Sequence, residues 1–257
     1  MPHSVEKVTV AGATIRLFHG GSGRPLVFLH GAGGHTGWMA FLEELSARYE
    51  VFAPEHPGFG QSDDPAWLDD IADLAYFYLD FLTALGLDRV HLMGTSLGGW
   101  IAAELAVRNT ARLASLSLVG AVGITAGGEP IADIFRMPEA ENLQRFYADQ
   151  ERAARRLGDL AKADMSIVAK NRATVTRLAY RPRFHNPSLA KWLHRIDVPT
   201  LLLWGAVDGL VPPKFGEAYR ALIPGSRLVV LPNAGHAPFD EQRGAFLAAI
   251  LDFIDSQ

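Results

Sequence analysis

Short apolar runs alternate with segments of helical periodicity along most of this 257-residue chain, and this alternation is the strongest constraint on its fold. The apolar runs end at glycine or polar residues, as strands buried on both faces of a parallel sheet do. Strands that alternate with helices form βαβ units around a mostly parallel sheet, so we predict an α/β fold. The predicted strands are 5–10, 14–18, 25–29, 50–53, 90–93, 113–119, 200–204 and 227–231, and the predicted helices are 38–48, 67–85, 97–108, 214–222 and 239–254.

The alternation is interrupted between residues 122 and 190, where the pattern indicates several helices and no buried strand. This stretch has 11 Lys and Arg against 8 Asp and Glu, so it carries +3 while the rest of the chain carries −7. An insertion between two strands of a sheet is a natural place for a lid over a site. We therefore predict a core formed by residues 1–121 and 191–257, and a helical cap formed by residues 122–190.

Composition excludes several classes of protein. The chain has no cysteine, which rules out disulfides, thiolate nucleophiles and cysteine-based zinc sites. The net charge of −4, without a basic stripe, gives no reason to expect nucleic acid. Residues 1–7 lack the apolar segment of a secretory signal, and no run approaches the roughly 18 apolar residues of a membrane span. We expect a cytoplasmic protein that does not bind a membrane; a homodimer is left open.

A Gly-x-Ser-x-Gly motif at residues 94–98 lies between a predicted strand and a predicted helix. In that context a sharp turn holds Ser96 in a strained backbone conformation with its hydroxyl above the sheet edge. Gly94 and Gly98 must be small because the turn brings the backbone close to them. The motif by itself is weak, since small residues are common in turns. Its position between a strand and a helix makes Ser96 our candidate nucleophile.

A glycine-rich loop, His30-Gly31-Ala32-Gly33-Gly34, follows the first buried strand. Backbone N–H groups in such a loop can approach a substrate closely and stabilise a developing oxyanion. We predict that the N–H groups of Ala32 and Leu97 form the oxyanion hole. The loop matches neither phosphate-binding glycine motif. We expect His30 to brace the loop, and we include His30, Gly31, Gly33 and Thr95 as candidates for substrate contact.

Serine needs a base to act as a nucleophile near neutral pH. Among nine histidines, His236 alone follows the last predicted strand, at the carboxyl edge where Ser96 also emerges. Asp208 follows the preceding strand and is our candidate for the acid that orients His236. The alternative for Asp208 is a turn-forming role before Gly209. Asp240 and Glu241 are closer in sequence to His236, but a partner so near on an incipient helix is poorly aimed.

Taken together, these segments resemble the α/β-hydrolase family, in the subgroup with a helical cap after the sixth strand, over nearly the whole chain. Residues 94–99 are similar to the nucleophile elbow of that family, 30–33 to its oxyanion loop, 204–208 to its acid turn and 233–236 to its histidine loop. The resemblance implies a mostly parallel eight-stranded sheet flanked by helices. It also implies a serine hydrolase with a Ser96-His236-Asp208 triad that needs neither a metal nor an organic cofactor.

The activity we predict is hydrolysis of a small carboxylic ester or lactone through an acyl-enzyme. Ser96 argues against the dehalogenases and epoxide hydrolases of this fold, which have Asp as nucleophile; serine-bearing lyases and haloperoxidases stay open. The meta-cleavage C–C bond hydrolases are the closest alternative. They are expected to carry Asn before the serine and Trp after the histidine, where this chain has Thr95 and Ala237. A binding protein without catalytic activity is the alternative of a different class.

The end of the predicted cap, residues 167–190, contains five cations and no acidic residue. Arg172 and Arg177 are candidates for binding a substrate carboxylate, because a guanidinium can hold both carboxylate oxygens. The alternative is that these cations form a solvated face of the cap. The sequence thus leaves an anionic small-molecule substrate as an open hypothesis.

Overall fold

All eight strands of the chain join one sheet in the computed structural model, which describes residues 3–257. The order of the strands across the sheet is β1-β2-β4-β3-β5-β6-β7-β8. β2 is antiparallel to β1 and to β4, and the remaining pairs are parallel. The predicted mostly parallel eight-stranded sheet is therefore confirmed. The strands are β1 (Ser4–Val10), β2 (Ala13–Gly20), β3 (Arg24–Leu29), β4 (Tyr49–Pro54), β5 (Val90–Thr95), β6 (Leu113–Val119), β7 (Thr200–Gly205) and β8 (Arg227–Leu231).

Helices cover both faces of this sheet, because consecutive residues of a strand point to opposite faces and both sets are apolar. The helices are α1 (Ala40–Ser46), α2 (Ile71–Ala84), α3 (Leu97–Arg108), α4 (Glu139–Phe146), α5 (Gln150–Leu160), α6 (Met165–Ala179), α7 (Lys214–Leu222), α8 (Pro238–Glu241) and α9 (Arg243–Asp255). On β3, Val27 and Leu29 belong to the apolar cluster that includes residues of α2 and α3, whereas Leu26 and Phe28 belong to the cluster that includes residues of α1 and α9.

Three predicted helices have different bounds in the structure. α1 begins at Ala40 rather than at residue 38. α2 begins at Ile71 rather than at residue 67, because Asp70 and Asp73 form a reciprocal capping box: each carboxylate accepts a hydrogen bond from the other residue's N–H. The predicted helix 239–254 is two helices, α8 and α9, which meet at Gln242 in a non-helical conformation.

Residues 122–190 (the cap segment) hold α4, α5 and α6 between β6 and β7, followed by two short 3₁₀ turns at 189–191 and 193–195. No strand of the sheet lies in this segment, in agreement with the sequence pattern. Within residues 3–257, no helix has the length and hydropathy needed to cross a membrane.

Candidate active site

A cavity of about 440 Å³ lies at the carboxyl edge of the sheet, beneath the cap segment. The loop after β3 contributes residues 30–34 to its wall, and the β5–α3 turn contributes Thr95 and Ser96. The loops after β7 and β8 contribute Leu210, Val211, His236 and Ala237. From the cap segment, the lining residues include Ile131, Ile134, Asn142, Leu143, Phe146, Tyr147, Arg156, Leu160 and Phe184. Most of these cap residues are apolar, so the cavity suits a largely apolar molecule.

Ser96 lies at the turn between β5 and α3 with φ 53° and ψ −114°, a backbone conformation that residues other than glycine rarely adopt. The turn is so tight that a Cβ at Gly94 would lie 2.2 Å from the Gly98 carbonyl oxygen, and a Cβ at Gly98 would lie 2.1 Å from that of Leu29. The sequence predicted both the strain and the reason for the glycines. The strained residue is a serine that lines the cavity, as a nucleophile must be.

Asp208 and His236 form a buried pair in which His236 lines the cavity, with 2.7 Å between Asp208 Oδ2 and His236 Nδ1. The other carboxylate oxygen, Oδ1, accepts hydrogen bonds from the N–H groups of Leu210 and Val211, at 2.9 and 2.8 Å. A carboxylate accepts only, so Nδ1 of His236 carries the proton and Nε2 is left unprotonated in the neutral ring. Nε2 is therefore able to accept a proton.

Ser96 and His236 line the same cavity, but among residues 3–257 no hydrogen bond joins their side chains. The structure thus brings together Asp208 and His236 by direct contact, and His236 and Ser96 by a shared cavity. In serine hydrolases without substrate, the contact between nucleophile and base is often long and tightens when substrate binds.

The predicted oxyanion donors lie on the two sides of Ser96. Leu97 is the first residue of α3, where N–H groups have no partner within the helix. Ala32 lies in a turn closed by a hydrogen bond from the Gly34 N–H to the Gly31 carbonyl, 3.1 Å long. In the described part of the chain neither N–H has an acceptor. Gly31 approaches the nucleophile closely: a Cβ there would lie 3.3 Å from Ser96 Cβ.

His30 lines the cavity and is at the same time tied to the loop after β4. Its Nε2 accepts a hydrogen bond from the His56 N–H at 3.0 Å, while His56 Nε2 donates to the His30 carbonyl at 2.9 Å. Tyr78 supplies the proton that His56 Nδ1 accepts. Burial lowers the pKa of His30 to about 4 and that of His56 well below its ordinary value, so both rings are neutral. These contacts support the predicted bracing role of His30.

The cap segment makes direct contact with the loops that carry Asp208 and His236, which the sequence did not reveal. The Phe146 carbonyl at the end of α4 accepts a hydrogen bond from the His236 N–H at 2.7 Å, and the neighbouring Arg145 carbonyl accepts one from the Gly209 N–H at 3.1 Å. Glu241, which we had considered only as a partner of the His236 ring, accepts hydrogen bonds from the N–H groups of Gly235 and Asp149 instead. Such backbone contacts leave no signal in a sequence.

The two cap arginines chosen from the sequence lie outside the cavity. Arg172 and Arg177 are on the exposed face of α6, and Arg177 forms an ion pair with Asp64, 2.5 Å away. The buried residues of α6, such as Asn171 and Thr174, lie on the opposite face of the helix. Both side chains thus belong to a solvated face of the cap segment, as in the alternative interpretation, and neither is placed to bind a substrate in the cavity. Arg156 on α5 is the cap cation that lines the cavity.

No group of three or more histidine or carboxylate side chains among residues 3–257 has the arrangement of a metal site. The acid–base pair, the strained serine and the free N–H groups are the chemical groups that the cavity offers. They are the parts needed for acyl transfer.

Comparison with known proteins agrees with this architecture. The sequence model of the alpha/beta hydrolase family matches residues 26–250. A 2-hydroxy-6-oxononadienedioate/2-hydroxy-6-oxononatrienedioate hydrolase from Pseudomonas putida is 32% identical, covering 89% of this chain and 87% of the relative. The chain belongs to the α/β-hydrolase family, and it is a hydrolase of that family.

Solved structures similar to this chain include proteins with different printed activities. The crystal structure of an esterase from Rhodococcus has a TM-score of 0.73 and 27% identity, covering 100% of this chain and 99% of that one. A meta-cleavage product hydrolase from Pseudomonas fluorescens has a TM-score of 0.83 at 22% identity, covering 98% and 97% of the two chains, and shares the fold. An esterase and a meta-cleavage product hydrolase thus both share the fold of this chain, so the fold alone does not determine its reaction.

Proposed function

We propose that this protein is a serine hydrolase that cleaves a small, largely apolar carboxylic ester or lactone through an acyl-enzyme. The observation that carries the proposal is the buried 2.7 Å contact between Asp208 and His236 in a cavity that also exposes the strained Ser96. The contact fixes the tautomer of His236 with Nε2 free to take a proton, which is the requirement for activating a serine hydroxyl.

The first half-reaction begins when Ser96 Oγ attacks the acyl carbon and its proton passes to His236 Nε2. Negative charge then develops on the former carbonyl oxygen, where the N–H groups of Ala32 and Leu97 donate to it. The tetrahedral intermediate collapses, and the alcohol leaves with the proton from His236. In the second half-reaction His236 takes a proton from water as the water attacks the acyl carbon, and the tetrahedral intermediate collapses as His236 returns the proton to Ser96 Oγ, which releases the carboxylic acid.

Labelling with a fluorophosphonate tests the nucleophile. Such probes phosphonylate an activated serine, so we expect the wild type to be labelled and a Ser96→Ala variant to remain unlabelled. Ser62 is a matched control because it is also buried and hydrogen-bonded, but it lies on the loop after β4 away from the cavity wall. A Ser62→Ala variant should still be labelled. Absence of labelling in the folded wild type would favour the alternative of a hydrolase fold used for binding.

Cleavage of a C–C bond is the second candidate function, and the Pseudomonas putida relative supports it by its printed activity. Two residues that line the site, next to Ser96 and next to His236, favour ester cleavage. C–C bond hydrolases of this family are expected to have Asn before the serine and Trp after the histidine, whereas Thr95 and Ala237 occupy these positions and line the cavity here. An alanine leaves space and offers no ring or N–H to an extended dienol substrate.

A substrate panel separates the two reactions. The panel comprises p-nitrophenyl esters of rising chain length, enol-lactones and vinylogous diketo acids. We expect turnover of the esters and lactones, with a preference for apolar acyl groups that fill the cavity. Turnover of the diketo acids alone would replace the ester proposal by the C–C proposal.

We also propose that Arg156 gives the enzyme a preference for substrates with a carboxylate at the end remote from the scissile bond. Arg156 is half-buried, lines the cavity and forms neither an ion pair nor a hydrogen bond within the described residues. The other cations that line the cavity or neighbour it are paired: Arg243 with Glu44, and Arg152 with Asp240. An unpaired guanidinium in a mostly apolar wall favours an anionic partner.

Two variants on the same helix test this preference. Arg156→Met should raise KM for an ester bearing a free carboxylate by about tenfold or more, the value of one charge-assisted hydrogen bond. The same variant should leave KM for the corresponding neutral methyl diester unchanged. Arg155→Met is the control, because Arg155 is exposed and lies outside the cavity. Equal effects of Arg156→Met on both esters would contradict the proposal.

A further inference from the structure

The side-chain amide of Asn171 joins the cap segment to the loop that carries a predicted oxyanion donor. Asn171 lies on the inner face of α6 and is buried, with 8% of its surface exposed. Its Nδ2 donates a hydrogen bond to the Gly33 carbonyl at 3.2 Å, and its Oδ1 accepts one from the Gly60 N–H at 2.8 Å. The two partners, one acceptor and one donor, fix the orientation of the amide.

The loop is built around this contact. Gly33 and Ala32 are the central residues of the turn that the Gly34 N–H closes onto the Gly31 carbonyl. At Gly34, where φ is +86°, a Cβ would lie 2.3 Å from Asn171 Nδ2, so the backbone approaches the amide as closely as glycine allows. On the other side of the turn His30 is held by His56. The turn is therefore fixed from the core at one end and from the cap at the other.

We propose that Asn171 is a positioning residue for catalysis, which holds the Ala32 peptide in the orientation that stabilises the oxyanion. This inference rests on the proposed serine-hydrolase function and names a residue that acts through the oxyanion loop, not on the substrate. A donor that is preorganised towards the oxyanion accelerates acyl transfer, whereas a turn free to rotate must reorganise in each cycle. Loss of the amide should therefore lower kcat more than it raises KM.

Other contacts of α6 provide a matched control. Thr174 donates to the Gly58 carbonyl at 2.6 Å, and Lys170 donates to the carbonyls of Gly60 and Ser62 at 3.1 and 2.6 Å. These bonds attach the same helix to the loop after β4 and do not involve the oxyanion loop. A Thr174→Val variant weakens the attachment of α6 to the core while leaving the Gly33 contact in place. An effect caused only by loosening of the cap should appear in both variants.

The discriminating variant is Asn171→Asp, because its hydrogen bonding depends on pH. The ionised carboxylate cannot donate to the Gly33 carbonyl and repels it, whereas the protonated acid donates through its O–H and accepts from Gly60 as the amide does. Burial raises the pKa of a carboxyl group at this position, and so does the Glu55 carboxylate beside Gly60, while the Lys170 ammonium lowers it. Burial lowers the pKa of His30, in the oxyanion loop, to about 4 and that of His35, directly after the loop, to about 3. Neither ring therefore changes its charge in the pH range of the experiment.

The experiment measures kcat, KM and the Ki of a trifluoromethyl ketone from pH 8 to pH 5.5. Ser96 adds to the ketone carbon with transfer of its proton to His236, and the resulting hemiketal oxyanion occupies the oxyanion hole. At pH 8 we expect kcat of Asn171→Asp to be about 10- to 100-fold lower than that of the wild type, and Ki to rise by a similar factor. KM should stay within about threefold of the wild-type value. The ratio of variant to wild type should recover as the pH falls. Any dependence on pH that the two proteins share cancels in this ratio.

Thr174→Val should keep kcat and Ki within about twofold of the wild type at every pH, as expected for a contact remote from the oxyanion. A ratio for Asn171→Asp that is independent of pH, or a loss matched by Thr174→Val, would overturn the inference while the proposed function stands. Failure of the wild type to react with either the fluorophosphonate or the ketone would overturn both. Asn171→Leu, which removes both hydrogen bonds, should show the loss at pH 8 without recovery at pH 5.5.

Discussion

The ring of Phe146 packs edge-on against the imidazole of His236, with 5.2 Å between the ring centroids. The same two residues are joined through their backbones, since the Phe146 carbonyl accepts the His236 N–H at 2.7 Å. One residue at the end of α4 thus supports the predicted base from two directions. The orientation of His236 depends on the cap segment as well as on Asp208.

We therefore expect Phe146→Ala to lower kcat by about tenfold, because a small displacement of a catalytic group is costly even when its own chemistry is intact. The backbone hydrogen bond remains in this variant, so the protein should still fold with its cap in place. Gln144→Ala, at an exposed position of the same helix, is the control and should have wild-type kcat. A change in KM alone for Phe146→Ala would mean that the ring contacts substrate without orienting His236.

Asp208→Asn should lower kcat by about 10⁴-fold with little change in fold. The N–H groups of Leu210 and Val211 require an acceptor at Oδ1, so the new amide must turn its NH₂ group towards His236. His236 is then forced to accept at Nδ1 and to carry its proton on Nε2, which leaves no base for Ser96. Steady-state kinetics and the thermal unfolding midpoint together check this expectation. A variant with more than about one tenth of wild-type kcat would show that Asp208 is not the orienting acid.

Substitution of alanine at two glycines of the site should have very different effects on stability. Gly98→Ala places a Cβ 2.1 Å from the Leu29 carbonyl oxygen, whereas a Cβ at Gly33 meets nothing within 4 Å. We expect Gly98→Ala to lose at least about 1–3 kcal/mol of unfolding free energy, as overpacked sites do. Gly33→Ala should unfold within about 0.5 kcal/mol of the wild type. Urea titration measures both, and equal stabilities would contradict the tight elbow.

Stability should fall as the pH is lowered from about 6.5 towards 4. Burial depresses the pKa of His30 to about 4 and that of His35 to about 3, from an ordinary value of 6.5. The unfolded chain therefore binds protons at a higher pH than the folded protein does. Each such histidine contributes stability that is complete above pH 6.5 and is lost at up to about 1.4 kcal/mol per pH unit below it.

His35→Phe tests the origin of this acid sensitivity. The ring of His35 stacks on Phe18, and its Nε2 is buried without a partner within residues 3–257. A phenyl ring keeps the stack and loses the 3.2 Å hydrogen bond that Nδ1 accepts from the Gly37 N–H. Unfolding free energies between pH 7 and pH 4.5 should depend less steeply on pH in this variant than in the wild type. His194→Gln, at an exposed position, should leave the slope unchanged. An equally steep slope in His35→Phe would assign the acid sensitivity to other groups.

The sheet and its carboxyl-edge loops were predictable because local patterns determine them. The apolar run before Ser96 and the helical periodicity after it fix where the elbow lies, and Asp208 and His236 follow directly from the same alternation. The predicted start of α2 at residue 67 was wrong, because Trp67 and Leu68 continue the helical spacing of apolar residues although they precede the helix. The Asp70–Asp73 capping box, in which each carboxylate accepts a hydrogen bond from the other residue's N–H, determines the true start.

The cap was predictable as a helical insertion but not in the way it contacts the site. Asn171 and Gly33 are 138 residues apart, and their contact depends on how α6 docks on the core. The choice of Arg172 and Arg177 followed from local charge, which does not reveal the side of a helix that faces the cavity. Arg156 shares its helix with Arg152 and Arg155, and the three are equivalent by charge alone.

The bonds from Arg145 and Phe146 to the loops of Asp208 and His236 run from main chain to main chain. Main-chain groups are the same whatever side chain a position carries. Residues of α4 that face the cavity, such as Asn142 and Leu143, can therefore be exchanged without releasing the helix from the catalytic loops. In laboratory evolution, libraries at these two positions should yield altered substrate ranges at a lower cost in folding than libraries at the glycines of the elbow.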